Sequence, residues 1–500
     1  MKNFVTVALS ACLLAADMVL HAQDRVVAVT NAEGQVARME YEIGDKVSRM
    51  TRFDGTEVGY TQNAYGLLSA AYPSFTNTYE RLMDGSLLSA TGPNGTIGYT
   101  YDKFGNVTGV ATEQGGMTST YDTAGNVTRR DFDFGSFECA YDQAGRVTGM
   151  TWNVGELTMP FGYSYSPVNG SLATVEYPNA VTRELGYDVM DRLSLIGWSG
   201  YDTADADSCE YSYDNADNIV SVATADGATI DYAYDGIDRI AGEAKSDTNG
   251  APVRSAAYIY DDCGNRMCNS LTEGGVTETY ANSFEAGDRL AGWSRADSNI
   301  GPDSVTNTVY LYAASGCTTG IVSYVADGTE RRVEYTWTDD YRLAGVSVDG
   351  AAVAEYAYDV LGNLVAVANG DESFEILVDS GHSLADVVVS PDGTKTPLRV
   401  YMRGPGVDSW LGFVDMTGAA PVPYYYVTDH LGSVLAVTDA NGNLVERYEY
   451  DAWGKVLSVT DAEGQVCIAS RGKVKKLCME VKAGTSADVS IRALRGSGGL

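Results

Sequence analysis

The sequence is poor in the residues from which most active sites are assembled. Three histidines occur in 500 residues, and one of them, His21, lies within the first 22 residues, which leaves His382 and His430. With so few histidines, a histidine-based triad or zinc site is hard to assemble. The chain also has no G-x-S-x-G, H-E-x-x-H or phosphate-loop motif. We therefore predict no enzymatic activity and no catalytic, cofactor or metal residues, and we interpret both histidines as structural.

Positive charge is also scarce. The chain has 34 Lys and Arg against 67 Asp and Glu, which gives a net charge of −33. Such a body repels nucleic acid and anionic lipid surfaces, so we expect no nucleic-acid partner. The exception is residues 466–500, where seven Lys and Arg against two Asp and Glu form a basic tail.

Cysteines are few and scattered. After Cys12 the chain has an odd number of them, with no C-x-x-C spacing, so neither a disulfide framework nor a zinc site is predicted. Cys263 and Cys268 are close enough in sequence to pair across the turn at Gly264-Asn265, but spacing alone does not decide it. The full set is Cys139, Cys209, Cys263, Cys268, Cys317, Cys467 and Cys478.

Long hydrophobic runs are absent beyond the first 22 residues, so no membrane span is predicted. Residues 1–22 read as a secretory signal, with Lys2 before the apolar stretch Phe4–Leu20 and a small-residue end at Ala22. The alternative is a lipoprotein box that would place a lipid on Cys12. Either way we expect export, to the extracellular space or the cell surface.

What the sequence has in abundance is a repeated phrase: Tyr-x-Tyr-Asp, two spacers, Gly-Asn or Asp-Arg, and an aliphatic residue. Its step of about 20–28 residues is typical of a unit of two strands and two turns. The sequence therefore predicts an all-β fold, a long antiparallel ribbon. Clear copies are Tyr99–Val107, Tyr211–Ile219, Tyr232–Ile240, Tyr356–Leu364 and Tyr448–Val456, and weaker ones are Tyr165–Leu172 and Trp337–Leu343.

Each position of the phrase has a physical role. Two tyrosines one residue apart lie on the same face of a strand, where their rings pack and their hydroxyls find partners. The aspartate caps the turn by accepting backbone N–H groups. Glycine, or aspartate in its place, supplies the positive φ of a tight turn, and the aliphatic residue opens the next strand.

Two other interpretations of these residues stay open. The recurring aspartates are also potential cation ligands, and Asp439–Asn443 resembles a calcium loop, although Leu444 and Tyr450 replace the glycine and glutamate that such a loop needs. The tyrosines are also potential members of an exposed sugar-stacking stripe. We favour turn capping and packing over both.

The repeated phrase resembles the YD repeat of the Rhs family, which includes teneurin-like YD shells and toxin-complex C components. Leu398–Asp408 resembles the stretch that closes the Rhs repeat region, and Tyr424–Val456 is similar to the Rhs core in its Asp-His-Leu-Gly-Ser and Tyr-Asp-x-Trp-Gly elements. On this resemblance the chain consists of a signal peptide at 1–22, YD repeats at 23–397, a core-like end at 398–465 and a divergent basic tail at 466–500.

For the fold, the resemblance implies a β-sheet ribbon that spirals into a hollow shell, complete or partial. In bacterial members the shell often encloses a C-terminal toxin and is closed by a segment that cleaves itself with paired aspartates. The sequence departs from the family after Asp461, where the cleavage motif is missing. No protease role is therefore assigned to any residue, and the tail is interpreted as a variable tip or as a truncated or frameshifted end.

Three functions follow from the sequence. The first is an exported, non-enzymatic scaffold or shell that acts in encapsulation, adhesion or partner binding at the cell surface. The second is a polymorphic-toxin delivery protein whose C-terminal toxin is missing or vestigial. The third is a carbohydrate-binding adhesin. The expected partners are accordingly a toxin payload, a surface glycan or another protein.

Overall fold

The chain folds into β-strands joined by tight turns. The computed structural model describes residues 17–20, 25–42, 44–201, 207–297, 300–302, 304–370, 372–406, 408–462 and 464–469. These residues form 41 strands and no helix, so none of them builds a helix that could cross a membrane. The predicted all-β class is confirmed.

Two compact units contain these strands. The first comprises the described parts of Met1–Thr100, Ala111–Glu113 and Tyr258–Glu372, and the second those of Tyr101–Val110, Gln114–Ala257 and Ser373–Leu500. Strand β1 (Asp17–Leu20) lies inside the predicted signal peptide. Most of that segment, Cys12 and the tail from residue 470 lie outside the described residues, so export and lipid anchoring stay predictions. The domain boundaries also stay predictions.

The strands from the first half of the chain are short. They are β2 (Val26–Thr30), β3 (Val36–Glu42), β4 (Lys46–Thr51), β5 (Glu57–Asn63), β6 (Gly66–Ala71), β7 (Thr76–Arg81), β8 (Leu87–Gly92), β9 (Gly95–Tyr101), β10 (Val107–Ala111), β11 (Gly116–Tyr121), β12 (Val127–Phe132), β13 (Gly135–Tyr141), β14 (Val147–Val154), β15 (Leu157–Tyr165), β16 (Leu172–Glu176), β17 (Thr182–Tyr187), β18 (Leu193–Ser199), β19 (Asp207–Tyr213), β20 (Ile219–Thr224), β21 (Thr229–Tyr234), β22 (Ile240–Ser246) and β23 (Pro252–Tyr260).

The remaining strands follow the same pattern. They are β24 (Arg266–Glu273), β25 (Val276–Glu285), β26 (Arg289–Arg295), β27 (Val305–Tyr312), β28 (Thr318–Val325), β29 (Glu330–Trp337), β30 (Leu343–Val348), β31 (Ala351–Tyr358), β32 (Leu364–Asn369), β33 (Glu372–Asp379), β34 (His382–Val389), β35 (Lys395–Arg403), β36 (Trp410–Asp415), β37 (Val422–Thr428), β38 (Val434–Thr438), β39 (Leu444–Tyr450), β40 (Val456–Asp461) and β41 (Val466–Ala469).

Pairing follows chain order within each unit. In the first unit, strands β1 to β9 and strands β24 to β32 each form a meander in which every strand pairs antiparallel with the next. In the second unit, β11 to β23 and β33 to β41 do the same. The antiparallel ribbon predicted from the repeats is confirmed at this level.

The repeated phrase sets the register of each hairpin. In the hairpin of β11 and β12, Thr120 lies opposite Arg129 but Tyr121 lies opposite Val127, so one residue of β12 is passed over. Such a bulge accompanies a turn that ends on a residue with positive φ, here Gly125 with φ 88°. The strand then opens on Val127, as the sequence predicts.

Each unit has its own apolar core. In the second unit, Trp152, Met159 and Ile196 are buried together with Leu377 and Leu384, so β14, β15 and β18 pack against β33 and β34. In the first unit a smaller cluster is centred on Val29, Met39 and Met50. The alternation of buried and exposed residues along these strands positions the polar groups described next.

Candidate functional site

The aspartate of the repeat caps its own turn. The Oδ1 atom of Asp102 accepts hydrogen bonds from the backbone N–H of Phe104 (2.8 Å) and Asn106 (3.0 Å), and Oδ2 accepts one from the Asn106 side chain (2.9 Å). The predicted capping role is confirmed. The same pair of backbone bonds occurs at Asp122, Asp142, Asp188, Asp214, Asp235, Asp359, Asp429, Asp439 and Asp451.

The calcium-like stretch Asp439–Asn443 is one of these turns. Oδ1 of Asp439 accepts the N–H groups of Asn441 and Asn443, and Oδ2 accepts the Asn443 amide. The carboxylate is therefore engaged with its own turn. Within the described parts of the chain, no group of three or more His, Cys, Asp or Glu side chains is arranged to hold a metal ion.

The caps make stability depend on acidity. Hydrogen bonds from Asn106 and Asn126 lower the pKa of Asp102 and Asp122, and the backbone N–H of Arg146 lowers the pKa of Asp142. A carboxyl whose pKa is lower in the folded chain stabilises the fold above its unfolded pKa, and this contribution disappears as the pH falls through the folded pKa. We expect the melting temperature to fall as the pH drops from about 5 towards 2.

Thermal melts at a series of pH values check this expectation. The triple variant Asp102→Asn, Asp122→Asn, Asp142→Asn lacks three titrating caps and should lose less of its melting temperature on acidification than the wild type. A melting temperature of the wild type that rises towards acid would contradict the expectation.

The second tyrosine of the repeat binds the preceding repeat. Tyr141 donates its hydroxyl to the carbonyl of Val127 (2.8 Å), the residue that opens the previous hairpin strand. The first tyrosine is buried more deeply, as Tyr163 and Tyr211 show. The predicted packing role is thus confirmed for these rings. The same bond joins Tyr41 to Val26, Tyr121 to Val107, Tyr165 to Val147, Tyr187 to Leu172, Tyr213 to Leu193, Tyr234 to Ile219 and Tyr450 to Val434.

Neighbouring turns of the second unit are also joined to each other, which the sequence does not predict. Where aspartate replaces the turn glycine it adopts a φ of 61° to 68° and its Oδ1 accepts a hydrogen bond from the turn before it. The aspartate therefore adopts the left-handed conformation and also accepts a hydrogen bond that links two turns. The donor and acceptor pairs are Asn169 and Asp191 (2.8 Å), Arg192 and Asp217 (2.7 Å), and Asn218 and Asp238 (3.0 Å).

The two histidines have separate surroundings. The ring of His382 is 6.2 Å from that of Trp410, and its Nδ1 atom is 4.0 Å from Oδ1 of Asp408. The ring of His430 packs edge-on against Tyr211 at 4.8 Å. Their structural role stays a prediction that these aromatic contacts favour.

The two cysteines considered for a disulfide are free thiols. Cys263 is exposed at the turn between β23 and β24, and Cys268 is partly buried in β24. The possible pairing across Gly264-Asn265 is therefore not formed in the structure.

One weak copy of the repeat keeps the turn but changes its side chains. At Trp337–Leu343, tryptophan stands in place of the second tyrosine, Thr338 in place of the capping aspartate and Tyr341 in place of the turn glycine. The hydroxyl oxygen of Thr338 accepts the N–H of Arg342 (2.9 Å), so the turn is still capped. Tyr341 adopts a φ of 64°, which is rare for a bulky residue.

This altered turn lines a cavity of about 200 Å³ within the first unit, which we name the Trp337 pocket. Tyr341 donates its hydroxyl to Oδ2 of Asp54 (2.8 Å), and the backbone N–H of Ser74 donates to Oδ2 of Asp339 (2.6 Å). The turns after β4 and β6 thus meet the turn after β29. The lining residues are Asp54, Thr56, Pro73, Ala313, Ser315, Cys317, Trp337, Thr338, Asp339 and Tyr341.

The pocket combines an aromatic wall with hydrogen-bonding groups. Trp337 is 36% exposed, and its Nε1–H donates to the carbonyl of Thr318 (2.7 Å), which fixes the indole. Burial acts to raise the pKa of Asp54, but hydrogen bonds from Thr56 and Tyr341 and the charge of Arg52 lower it below its usual value. Burial raises the pKa of Tyr341. At neutral pH an ionised carboxylate therefore accepts from a neutral phenol.

The side chain of Arg52 packs against the ring of Tyr341 in the lining of the pocket. The guanidinium carbon of Arg52 is 4.3 Å from the centre of the Tyr341 ring and 5.3 Å from that of Tyr72. Arg52 also donates to the backbone carbonyl of Asp339. One face of Tyr341 is therefore occupied by a side chain of the protein itself.

Sequence reasoning missed the residues of this pocket. The weak copy at Trp337–Leu343 carries a signal, because it changes three side chains of the repeat while keeping its turn. Asp54 carries no such signal, since it lies 287 residues from Tyr341 in an ordinary-looking turn.

The geometry of the hairpins is that of a protein built from YD repeats. Comparison with known proteins agrees with this class. Residues 111–270 match the family model described as Teneurin YD-shell, and residues 424–460 match the one described as RHS protein. The resemblance of the chain to the Rhs and YD-repeat family is therefore confirmed.

Curated relatives are much longer than this chain. The tRNA nuclease WapA of Bacillus subtilis (strain 168) and the tRNA3(Ser)-specific nuclease WapA of Bacillus spizizenii are each 26% identical over 198 residues. These matches cover 39% of this chain and 7% of each nuclease.

Solved structures of toxin complexes give matches that extend over most of the chain. The TcdB2–TccC3 complex is 11% identical, with a TM-score of 0.46, over 89% of this chain and 31% of that chain. The Photorhabdus luminescens Tc holotoxin pore is 12% identical, also with a TM-score of 0.46, over 89% and 30%. The chain thus spans about a third of the length of the proteins in these structures.

Proposed function

We propose that the protein is an exported, non-enzymatic YD-repeat scaffold that acts in encapsulation, adhesion or partner binding at the cell surface. The proposal rests on one observation: the polar side chains of the repeat form their hydrogen bonds within the protein itself. The aspartate carboxylates bind their own turns, and the second tyrosines bind the backbone of the preceding repeat. A motif whose polar groups are engaged internally builds a framework, and the family matches support the same role.

The attachment of the core-like end to the repeats also supports a scaffold. Within the second unit, Arg183 donates to the carbonyl of Asp429 (3.2 Å), and the Asn179 amide donates to the carbonyl of Asp439 (2.9 Å). Lys245 forms an ion pair with Glu449 (2.8 Å). The segment that resembles the Rhs core is therefore bound to the meander of β11 to β23 at several points.

Protease treatment of intact cells tests this proposal. A protein exported to the surface should be degraded by added protease while a cytoplasmic marker in the same cells stays intact. The full-length chain should be detected with antibodies raised against the purified protein. Degradation only after the cells are lysed would contradict surface exposure, and partners captured on intact cells by cross-linking would identify the bound molecule.

A second candidate is delivery of a polymorphic toxin. The match to two proteins named as WapA nucleases favours it. Reading the DNA immediately downstream of the coding sequence in all three frames tests it. A self-cleavage motif or a small toxin domain there would support this candidate, and unrelated sequence would remove it.

A further inference from the structure

We propose that the Trp337 pocket binds a neutral sugar, with one pyranose ring stacked on the indole of Trp337 and its hydroxyls directed at Asp54 and Asp339. This binding activity goes beyond the scaffold role and does not depend on it. The proposal rests on four observations: a strained turn residue, a fixed aromatic face, placed hydrogen-bond acceptors and the charge around the cavity.

The strained residue is Tyr341. Equivalent turn positions are occupied by glycine, as at Gly105 with φ 89°, or by aspartate, as at Asp217 with φ 68°. A tyrosine there has a steric penalty that glycine avoids, and such strain persists where surrounding contacts hold it, often at ligand sites. Here the contacts are the hydroxyl bond to Asp54 and the stacking of Arg52 on the ring.

The aromatic face belongs to Trp337. At Tyr121, Tyr141 and Tyr234 the second tyrosine donates its hydroxyl to the residue that opens an earlier strand. Trp337 makes the corresponding bond through its Nε1–H to Thr318, which opens β28. The indole therefore keeps the structural link of the repeat while presenting a larger ring to the cavity. A flat, fixed and partly exposed ring is the surface on which the C–H face of a sugar stacks.

The acceptors lie beside this ring. Each carboxylate oxygen has two lone pairs, so Oδ2 of Asp54 has capacity beyond the bond from Tyr341. Oδ2 of Asp339 accepts from Ser74, and no donor in the described part of the chain reaches its Oδ1. Carboxylates form strong hydrogen bonds with hydroxyl donors, and Thr56 and Ser315 add hydroxyls to the same lining.

Charge and size define the class of ligand. The two carboxylates repel an anion, and the guanidinium of Arg52 against Tyr341 offsets part of their negative charge. A neutral, hydroxyl-rich ring meets no charge repulsion and can donate to both carboxylates. The cavity of about 200 Å³ has the scale of one sugar ring rather than of an extended oligosaccharide.

Saturation-transfer NMR with the purified full-length chain tests the proposal, using a panel of neutral monosaccharides: glucose, galactose, mannose and N-acetylglucosamine. We expect signal transfer to at least one of them. Tyr341→Gly restores the glycine of the repeat but removes the hydroxyl that holds the Asp54 carboxylate in place, so the affinity for that sugar should fall at least about tenfold, or ~1.4 kcal/mol. Asp339→Asn should also weaken binding.

The control is Trp453→Tyr, which removes an exposed tryptophan at a turn of the second unit and should leave sugar affinity unchanged. Absence of transfer to every sugar in the panel would overturn the proposal. Unchanged affinity in Tyr341→Gly would also overturn it. So would signal transfer to tetramethylammonium, used as a cationic probe, without transfer to any sugar. None of these outcomes bears on surface exposure, which the protease experiment measures separately.

Discussion

Removal of either partner of the ion pair between Glu243 and Arg254 is expected to lower the free energy of unfolding by about 3–5 kcal/mol. The pair joins β22 to β23, and its side chains are only 3% and 4% exposed. The Nη1 and Oε1 atoms are 2.5 Å apart. Truncation of one partner leaves the other charge buried without compensation, and this penalty is the source of the loss.

The same pair supports the core-like end. Oε2 of Glu243 accepts the backbone N–H of Ala452 (2.8 Å), in the turn between β39 and β40. Substitution of Glu243 by alanine therefore also leaves a backbone donor of that turn without its partner. The hairpin that resembles the end of the Rhs core should loosen from the repeats together with the loss of overall stability.

Urea denaturation of Glu243→Ala and Arg254→Ala measures the effect. The double variant Glu243→Met, Arg254→Leu replaces the charges by apolar groups of similar size and should recover most of the stability. The exposed pair of Arg332 and Glu334 is the matched control, and Glu334→Ala should cost less than about 1 kcal/mol. Equal losses at the buried and exposed pairs would contradict the expectation.

The hairpins were predictable from the sequence because their determinants are local. Asp122 caps a turn through residues two and four positions later, Gly125 supplies its positive φ, and Val127 opens the next strand. Each of these contacts joins residues less than one repeat apart. Because the repeat contains the same local contacts in many copies, the clear copies indicate how the weak copies fold.

The sites that the sequence did not reveal depend on distant contacts. Glu243 alternates with apolar neighbours as a solvent-facing strand residue would, and only the approach of Ala452, 209 residues away, shows that it is buried. Asp54 and Tyr341 are separated by 287 residues. The path of the ribbon decides which turns meet, and no local pattern encodes that path.

Substitution of Gly412 by alanine is the second change with a large expected effect, a loss of about 3 kcal/mol or more. Gly412 is buried in β36 opposite Tyr425 of β37, with a φ of 152°. A Cβ atom there would overlap the carbonyl oxygen of Tyr424 and lie 2.9 Å from the Cα atom of Tyr425. Because both obstacles are backbone atoms, no side-chain rotation relieves the overlap.

Thermal and urea denaturation of Gly412→Ala check the prediction, with Gly236→Ala as the matched control. Gly236 lies in the turn between β21 and β22, and a Cβ atom added there would meet no residue of the described chain within 4 Å apart from its sequence neighbours. Alanine at this position should therefore change stability by less than about 1 kcal/mol. A small loss at Gly412 would contradict the prediction, because it would mean that β36 and β37 can move apart at little cost. The burial of the aromatic side chains of β37 would then depend on contacts other than the pairing of these two strands.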